Sequence, residues 1–409
     1  MKKITAGLAL GLMASGVAAA TPSVEEMWAI IQQQQAEIAN LKQQLATTDE
    51  TVQQTSEQVE ATASMVEETI ATGGGALASS WAERTTLGGY AEMHYNNLED
   101  QNSDGDKDEI DFHRFVLFLN HEFDEDTRFF SELELEHSLS GDGKPGEVEL
   151  EQAYIEHDLS NYHRLKAGLF LVPVGLLNET HEPDTFYGVE RNNVEKNIIP
   201  TTWWEGGLGL CGELMAGLNY DVAFTSGLKL DLDEFKIRDG RQKVAEADAS
   251  KGAYTGSLAY TGIAGLEVGA TLHYQQDIYQ GGLGDEVDAL LYSAHVAYAN
   301  GPFGLRALVA NWDIDDAIEE VKAGADNQQG WYIEPSWRLN RDFGFFARYS
   351  EWDNQAGGGG DTEYGQWDLG MNYWLHENVV FKLDYQIQDA PDDGQELEGF
   401  NLGVGWSFR

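Results

Sequence analysis

Glu132, Glu134 and Glu136 occupy every second position of segment 127–138, and Glu149 and Glu151 do the same in segment 148–158. In an extended chain alternate residues share a face, so a hairpin of these two segments carries five carboxylates on one side and Phe129, Leu133, Leu135, Val148 and Leu150 on the other. Fixed carboxylates on a wet wall hold cations and repel anions. By the same alternation Arg306, Arg338, Arg348 and Lys382 form a second, basic wall. A third group lies between residues 171 and 202, where Glu179, His181, Glu182, Asp184, Glu190, Arg191, Glu195 and Lys196 crowd a long loop. A loop of that length without regular structure is usually functional. A fourth is the segment 100–111, DQNSDGDKDEID, in which Asp100, Asn102, Asp104 and Asp111 take positions 1, 3, 5 and 12 of a calcium-loop pattern with Gly105 at position 6. Position 8 is Lys107 and position 12 is Asp instead of Glu, so the expected Ca2+ affinity is weak. No other cofactor is expected.

Elements that could position these groups follow from the periodicity. Segment 399–408, GFNLGVGWSF, sets Phe400, Leu402, Val404, Trp406 and Phe408 on one face and Asn401, Gly403, Gly405 and Ser407 on the other. That strand has one oily and one wet side, as the closing strand of a membrane barrel requires. Sixteen such segments follow one another: 86–96, 109–121, 127–138, 148–158, 163–170, 203–213, 216–225, 252–261, 265–277, 286–300, 303–312, 330–339, 343–352, 363–375, 378–389 and 398–408. The even number and the alternation of short turns (near Asn161, Ile263, Pro302, Arg341 and Glu377) with long loops (97–108, 171–202, 226–251, 313–329 and 353–362) fit a bacterial barrel. Short turns then face the periplasm and long loops the exterior. Trp312, Trp331 and Trp352 near outer ends, with Trp337, Trp374 and Trp406 near inner ends, suggest an aromatic girdle. Strand 109–121 departs from the pattern, because Phe115–Leu119 is apolar on both faces; an inserted loop or a neighbouring subunit would cover the second face.

Ahead of this region Lys2 and Lys3 precede an apolar run, Ile4–Met13, and a small-residue site at Ala18-Ala19-Ala20, which reads as a signal peptide over 1–20. From 24 to 70 there is no Gly or Pro, and heptad a positions read Val24, Ile31, Ile38, Leu45, Val52, Val59 and Val66. This is a coiled coil, a rod on the order of 70 Å long if continuous. Its β-branched a positions, without Leu filling d, argue for three strands. Residues 71–85 form a flexible linker, and 86–409 the barrel. With 70 acidic against 25 basic residues the formal charge is −45, which disfavours nucleic acid. One cysteine, Cys211, allows no intramolecular disulfide and reads as a small packed residue.

The stretch Gly168–Leu214, GLFLVPVGLLNETHEPDTFYGVERNNVEKNIIPTTWWEGGLGLCGEL, resembles the corresponding part of the phosphate-selective porin O and P family, and the heptad segment resembles the periplasmic extension of sucrose-type porins. The resemblance implies a trimeric, sixteen-stranded outer-membrane channel with its third extracellular loop folded into the pore. Phosphate selectivity would need a dense basic ladder, whereas loop 171–202 sets Arg191 and Lys196 against five acids. The expectation is therefore an all-β transmembrane barrel behind a coiled-coil stalk, forming a homotrimer in outer-membrane lipid and lipopolysaccharide of a Gram-negative bacterium. It passes small hydrophilic solutes with a modest cation preference, and the stalk is a candidate contact with the cell wall. The alternatives are an anion- or phosphate-preferring channel, and a structural tether whose conduction is incidental. No nucleophile-base, metalloprotease or phosphate-loop pattern points to an enzyme.

Overall fold

The computed structural model describes Trp28, which is helical, and residues 81–408 apart from 232, 316–321 and 393. The signal segment, nearly all of the heptad segment and most of the linker lie outside the described residues. The barrel comprises β1 (Thr85–Asp100), β2 (Lys107–Glu122), β3 (Thr127–Glu136), β4 (Val148–Ser160), β5 (His163–Leu171), β6 (Trp204–Met215), β7 (Leu218–Thr225), β8 (Ala253–Ile263), β9 (Leu266–Gln275), β10 (Ala289–Asn300), β11 (Phe303–Ile314), β12 (Asn327–Arg338), β13 (Phe343–Asp353), β14 (Tyr364–His376), β15 (Val379–Asp389) and β16 (Leu397–Phe408). Each strand pairs antiparallel with its sequence neighbours, and β1 closes on β16 from Gly89↔Phe408 to Asp100↔Leu397. Closure matters because lipid offers no partner for an unpaired N–H or C=O, and a ring has no edge.

The outer face is apolar, with Leu133, Leu150, Leu272, Val309, Ile333, Leu369 and Leu402 all more than two-fifths exposed on the isolated chain. Alternate positions turn inward and are mostly polar. Placing one of the inward cations against lipid instead would cost about 2–4 kcal/mol near the midplane, which fixes the register of each strand. Every second connection is short, and the long ones run over 101–106, 137–147, 172–203, 226–252, 276–288, 315–326, 354–363 and 390–396. The first of these is shorter than the sequence suggested, because β1 and β2 continue pairing to Leu98↔Lys107.

Long connection 172–203 folds into the barrel, as its length predicted. It contains one helical turn, α1 (Val194–Asn197). The inner face of β16 is built of small residues because this loop lies against it: a β-carbon on Gly405 would overlap Pro183, and one on Gly403 would stand 3.1 Å from Val189. The same loop resolves the anomaly of strand 109–121. Val116 is fully buried on the inside, and Phe118 packs on Tyr90 (ring centroids 5.8 Å apart), which packs in turn on His181 of the loop at 6.0 Å. The inserted loop covers the second apolar face.

Half of the expected girdle is not one. Trp312, Trp352 and Trp374 are at most 7% exposed and point inward; Trp331 and Trp337 face out as expected. Trp312 sits opposite Leu291 and Gln328, on the inner face. There it joins an apolar core with Val194, Ile198, Trp203, Leu228, Leu230, Ile237, Leu308 and Tyr332. Loops 172–203 and 226–252 thus share an internal hydrophobic core against the inner wall of β10–β13, and Trp312 donates its indole N–H to the Ile198 carbonyl (2.9 Å). The signal was present in β10–β12, which carry apolar residues on both faces. We expect Trp312→Ala to destabilise the folded barrel by about 3–5 kcal/mol, measured by urea unfolding in lipid vesicles. A loss below 1 kcal/mol would show that the loops do not need this core.

Candidate functional site: the lumen and its infolded loop

The five glutamates read from the sequence all point inward. Glu132, Glu134, Glu149 and Glu151 are at most 9% exposed, and Glu136 is partly exposed. Their partners, however, are mostly close by. Arg114, on the neighbouring inner face of β2, lies 2.8 Å from Glu92 and 3.8 Å from Glu134. Glu132 accepts a hydrogen bond from Gln152 (2.6 Å). Glu149 is ion-paired with Lys243 of loop 226–252, which also meets Glu147 at 2.7 Å. Sequence reading missed Arg114 because strand 109–121 had no clear alternation.

The basic residues also point inward, but they do not form a free wall facing the acids. Arg348 is 3% exposed and donates to Asp368 (2.9 Å) and Glu334 (3.2 Å) on the strands to either side. Arg306 donates to the Thr185 carbonyl (2.8 Å). Lys382 lies over the Phe186 ring, 3.6 Å from its centroid, and Arg338 over Trp374 at 3.6 Å. Three of the four cations therefore hold the infolded loop or are neutralised within their own wall. The loop stands between the two walls, so the simple picture of acid facing base across an open lumen is corrected.

The loop runs along the wall through a sequence of polar anchors. Asp184 accepts from Ser407 (2.9 Å), the Val189 N–H donates to Asp384 (2.6 Å), and Arg348 reaches the Tyr187 and Glu190 carbonyls (3.3 and 3.2 Å). Glu195 ties the loop to itself and to the barrel: it accepts from the Leu176 and Leu177 N–H groups (2.6 and 2.7 Å) and from the Tyr332 hydroxyl (3.1 Å). Lys196 is exposed on α1, and the Glu182 carbonyl accepts from the Thr185 N–H. Glu179 lines a cavity of about 820 Å3, with Lys166, Asp221 and the paired Arg128, Glu156 and Asp158 around it. A second cavity of about 570 Å3 lies beneath Asp184–Tyr187, beside Arg306, Glu334 and Arg338. Cys211 is buried at the first cavity and has no disulfide partner.

A cluster that sequence reading did not assemble forms opposite the β3–β4 acids. Arg191 of the infolded loop meets Arg238 and Arg241 of loop 226–252, held by the Thr202 side chain (2.8 Å) and the Thr201 and Thr202 carbonyls (2.5 and 2.7 Å). Burial, then the neighbouring Arg241, Arg191 and Arg114, push the Arg238 guanidinium below its usual value. Arg241 stands within electrostatic reach of Glu149, Glu151 and Glu136. Among the described residues none of these three arginines has a carboxylate within 4.0 Å, whereas Lys243 of the same loop 226–252 is paired with Glu147 and Glu149. Charge separation across the lumen exists, but its basic side comes from loops.

The four residues of the calcium pattern do not converge. The Asp100 carboxylate accepts from the Asn102 N–H (3.1 Å) and the Ser103 hydroxyl (2.6 Å), closing the turn, whereas Asp104 is exposed. Asp111 lies on β2 opposite His94, about 20 Å along β1 from Asp100. Strand pairing through 107–111 carries it away from the turn.

Residues 61–393 match the family of Gram-negative porins. The chain is a Gram-negative porin. A protein of Aquifex aeolicus (strain VF5) with no characterised role is 30% identical over 356 residues, covering 79% of this porin and 80% of its own length. The fold matches the anion-selective porin of Comamonas acidovorans (TM-score 0.59, 13% identity, 79% of this chain and 99% of that one). It also matches OmpF of Salmonella typhi in complex with daunomycin (TM-score 0.56, 14%, covering 79% and 97%) and the outer-membrane channel DcaP of Acinetobacter baumannii (TM-score 0.53, 12%, covering 79% and 97%).

In this porin His181 offers a pH test of how the loop is held. Its Nε2 lies 3.6 Å from Glu132 and 3.7 Å from Glu151, too long for hydrogen bonds but close enough for strong attraction. Burial lowers its basicity, and the two carboxylates outweigh burial and lift it from 6.5 to about 9. A raised folded-state value stabilises the docked loop fully below pH 6.5, and that stabilisation is lost as the pH rises through about 9. Hydrogen exchange of the amides of 176–190, corrected for intrinsic rate, should therefore lose protection between pH 7 and 10, and His181→Gln should flatten the profile. Equal pH dependence in both proteins would contradict the role of His181.

Proposed function

We propose that this porin passes small hydrophilic solutes and ions by passive diffusion through the polar space that loop 172–203 leaves inside the barrel, with a modest preference for cations. The observation that carries the reading is the closed sixteen-stranded barrel whose polar interior is narrowed, not filled, by loop 172–203, leaving cavities of about 820 and 570 Å3. At physiological salt a fixed charge reaches about 8 Å, comparable with a narrowed half-width, so wall charges act on a solute at the axis. The 70 acidic against 25 basic residues, concentrated in part on the outer loops, favour cations at the mouth. Arg191, Arg238 and Arg241 oppose that preference locally and would orient dipolar solutes against Glu136, Glu149 and Glu151.

We infer an outer-membrane homotrimer with a periplasmic stalk, supported by the heptads of 24–70 and the apolar outer face of the barrel. Kinship with the phosphate-selective O and P branch rests on Gly168–Leu214; phosphate preference is not carried over, because loop 171–202 sets Arg191 and Lys196 against five acids and Arg114, Lys243 and Arg348 are each paired with carboxylates.

Reversal potentials in a potassium chloride gradient test the reading on detergent-purified protein, whose mass should be three subunits. A cation preference is expected in the wild type. Arg238→Gln with Arg241→Gln should raise the K+ to Cl− permeability ratio roughly two-fold, and Glu149→Gln with Glu151→Gln should lower it by a similar factor. A clear anion preference in the wild type would overturn the cation reading and favour the anion channel.

A further inference from the structure

Three of the ten histidines, scattered in sequence, come together in the outer half of the lumen. His94 on β1 and His113 on β2 stack with ring centroids 4.6 Å apart and planes 17° apart. His137, immediately after β3, meets His113 edge-on at 5.7 Å. Two carboxylates complete the group. Asp111 Oδ2 lies 3.1 Å from His113 Nδ1 and 2.8 Å from His137 Nδ1. On the other side of the His113 ring, Glu190 of the infolded loop lies 3.0 Å from His94 Nδ1. In the triple Asp111, His113, His137, and again in His94, His113, Glu190, one ligand atom from each residue lies within 4.8 Å of the others.

We propose that Asp111, His113 and His137 form a binding site for a divalent transition-metal ion of the Zn2+ class, backed by His94 and Glu190. Ligand atoms bound to one such ion at about 2.0–2.2 Å stand roughly 3.3–3.6 Å from one another. Asp111 Oδ2 is already near that spacing from both imidazole nitrogens, so a small opening of two side chains admits the ion. Mixed imidazole and carboxylate ligands suit Zn2+, Co2+, Ni2+ or Cu2+ better than the all-oxygen demands of Ca2+ or Mg2+. The ion takes the place of the two Nδ1 protons, which move to Nε2 of each ring or leave to solvent, and a fourth position stays open to water or a solute. Asp111, His113 and His137 keep 23%, 27% and 34% of their side-chain surface exposed, so the site is reached without unfolding. His94 is fixed from behind by Glu92 at 3.2 Å, and its stacking holds the His113 ring in place, as outer-shell groups do in metal sites. Glu190 connects the site to the loop that narrows the lumen.

The test uses the full, untagged chain in detergent, stripped with chelator and titrated with Co2+ by visible absorption and with Zn2+ by calorimetry. One Co2+ per subunit is expected, with the intense visible bands of a four-coordinate ion and displacement by Zn2+. His137→Ala and Asp111→Asn should each weaken binding by about ten-fold or more, whereas His376→Ala, exposed at a short turn, should bind as the wild type does. Heat-modified gel mobility verifies that each variant is folded. The proposal is overturned if the wild type binds no Co2+, or if folded His137→Ala and Asp111→Asn bind as tightly as the wild type. Equal weakening in His376→Ala would overturn it too, by marking the uptake as non-specific.

Discussion

A guanidinium shut inside a barrel must find oxygen on every side, and Arg348 shows what that demand builds. Two carboxylates, Glu334 and Asp368, flank it on neighbouring strands, and the carbonyls of Tyr187 and Glu190 complete its shell from the infolded loop. Removing the arginine would leave two buried carboxylates uncompensated, a loss of about 3–5 kcal/mol in comparable buried pairs. The loop is thus part of the wall's charge balance. The same logic recurs where Asp384 meets the Val189 N–H and where His181 meets Glu132 and Glu151. Inward charges and infolded loop stabilise one another, and the shape of the remaining lumen follows from that pairing.

The polar anchors cover only part of the loop's path. Further out, loops 172–203 and 226–252 bury Trp203, Ile198, Leu230 and Ile237 against Leu308, Trp312 and Tyr332. Gly330 lets α1 approach this wall, since a β-carbon there would stand 3.1 Å from both Val194 and Ile198. One half of the lumen is therefore closed by an apolar core and the other kept wet by charge.

Strand number, closure and the inward set of glutamates were legible in the sequence, because period-2 alternation holds through Glu132–Glu136, Val148–Glu151 and β16. The infolding of 172–203 was legible from its length. Three things were not. Trp312 and Trp352 were read as lipid-facing because an aromatic near a strand end fits a girdle, yet one position's shift in phase turns such a residue into the lumen. Ion-pair partners could not be read at all, since Arg348–Glu334 and Lys243–Glu149 depend on which strands and loops become neighbours. The histidine cluster was hidden for the same reason: residues 94, 113 and 137 have no common spacing, and only the register β1–β2–β3 brings them together. The calcium pattern failed in the opposite way, its spacing correct but its last residue drawn into a strand.

The central claim is that the docked loop sets the size of the path, and single-channel conductance tests it most directly. Arg348→Gln combined with Asp384→Asn removes two anchors of 184–190 while leaving the outer face of the barrel unchanged. The account predicts steady ohmic steps for the wild type and larger, noisier steps for the double variant. A wild type that does not conduct, or a folded variant with the same quiet conductance, would contradict it.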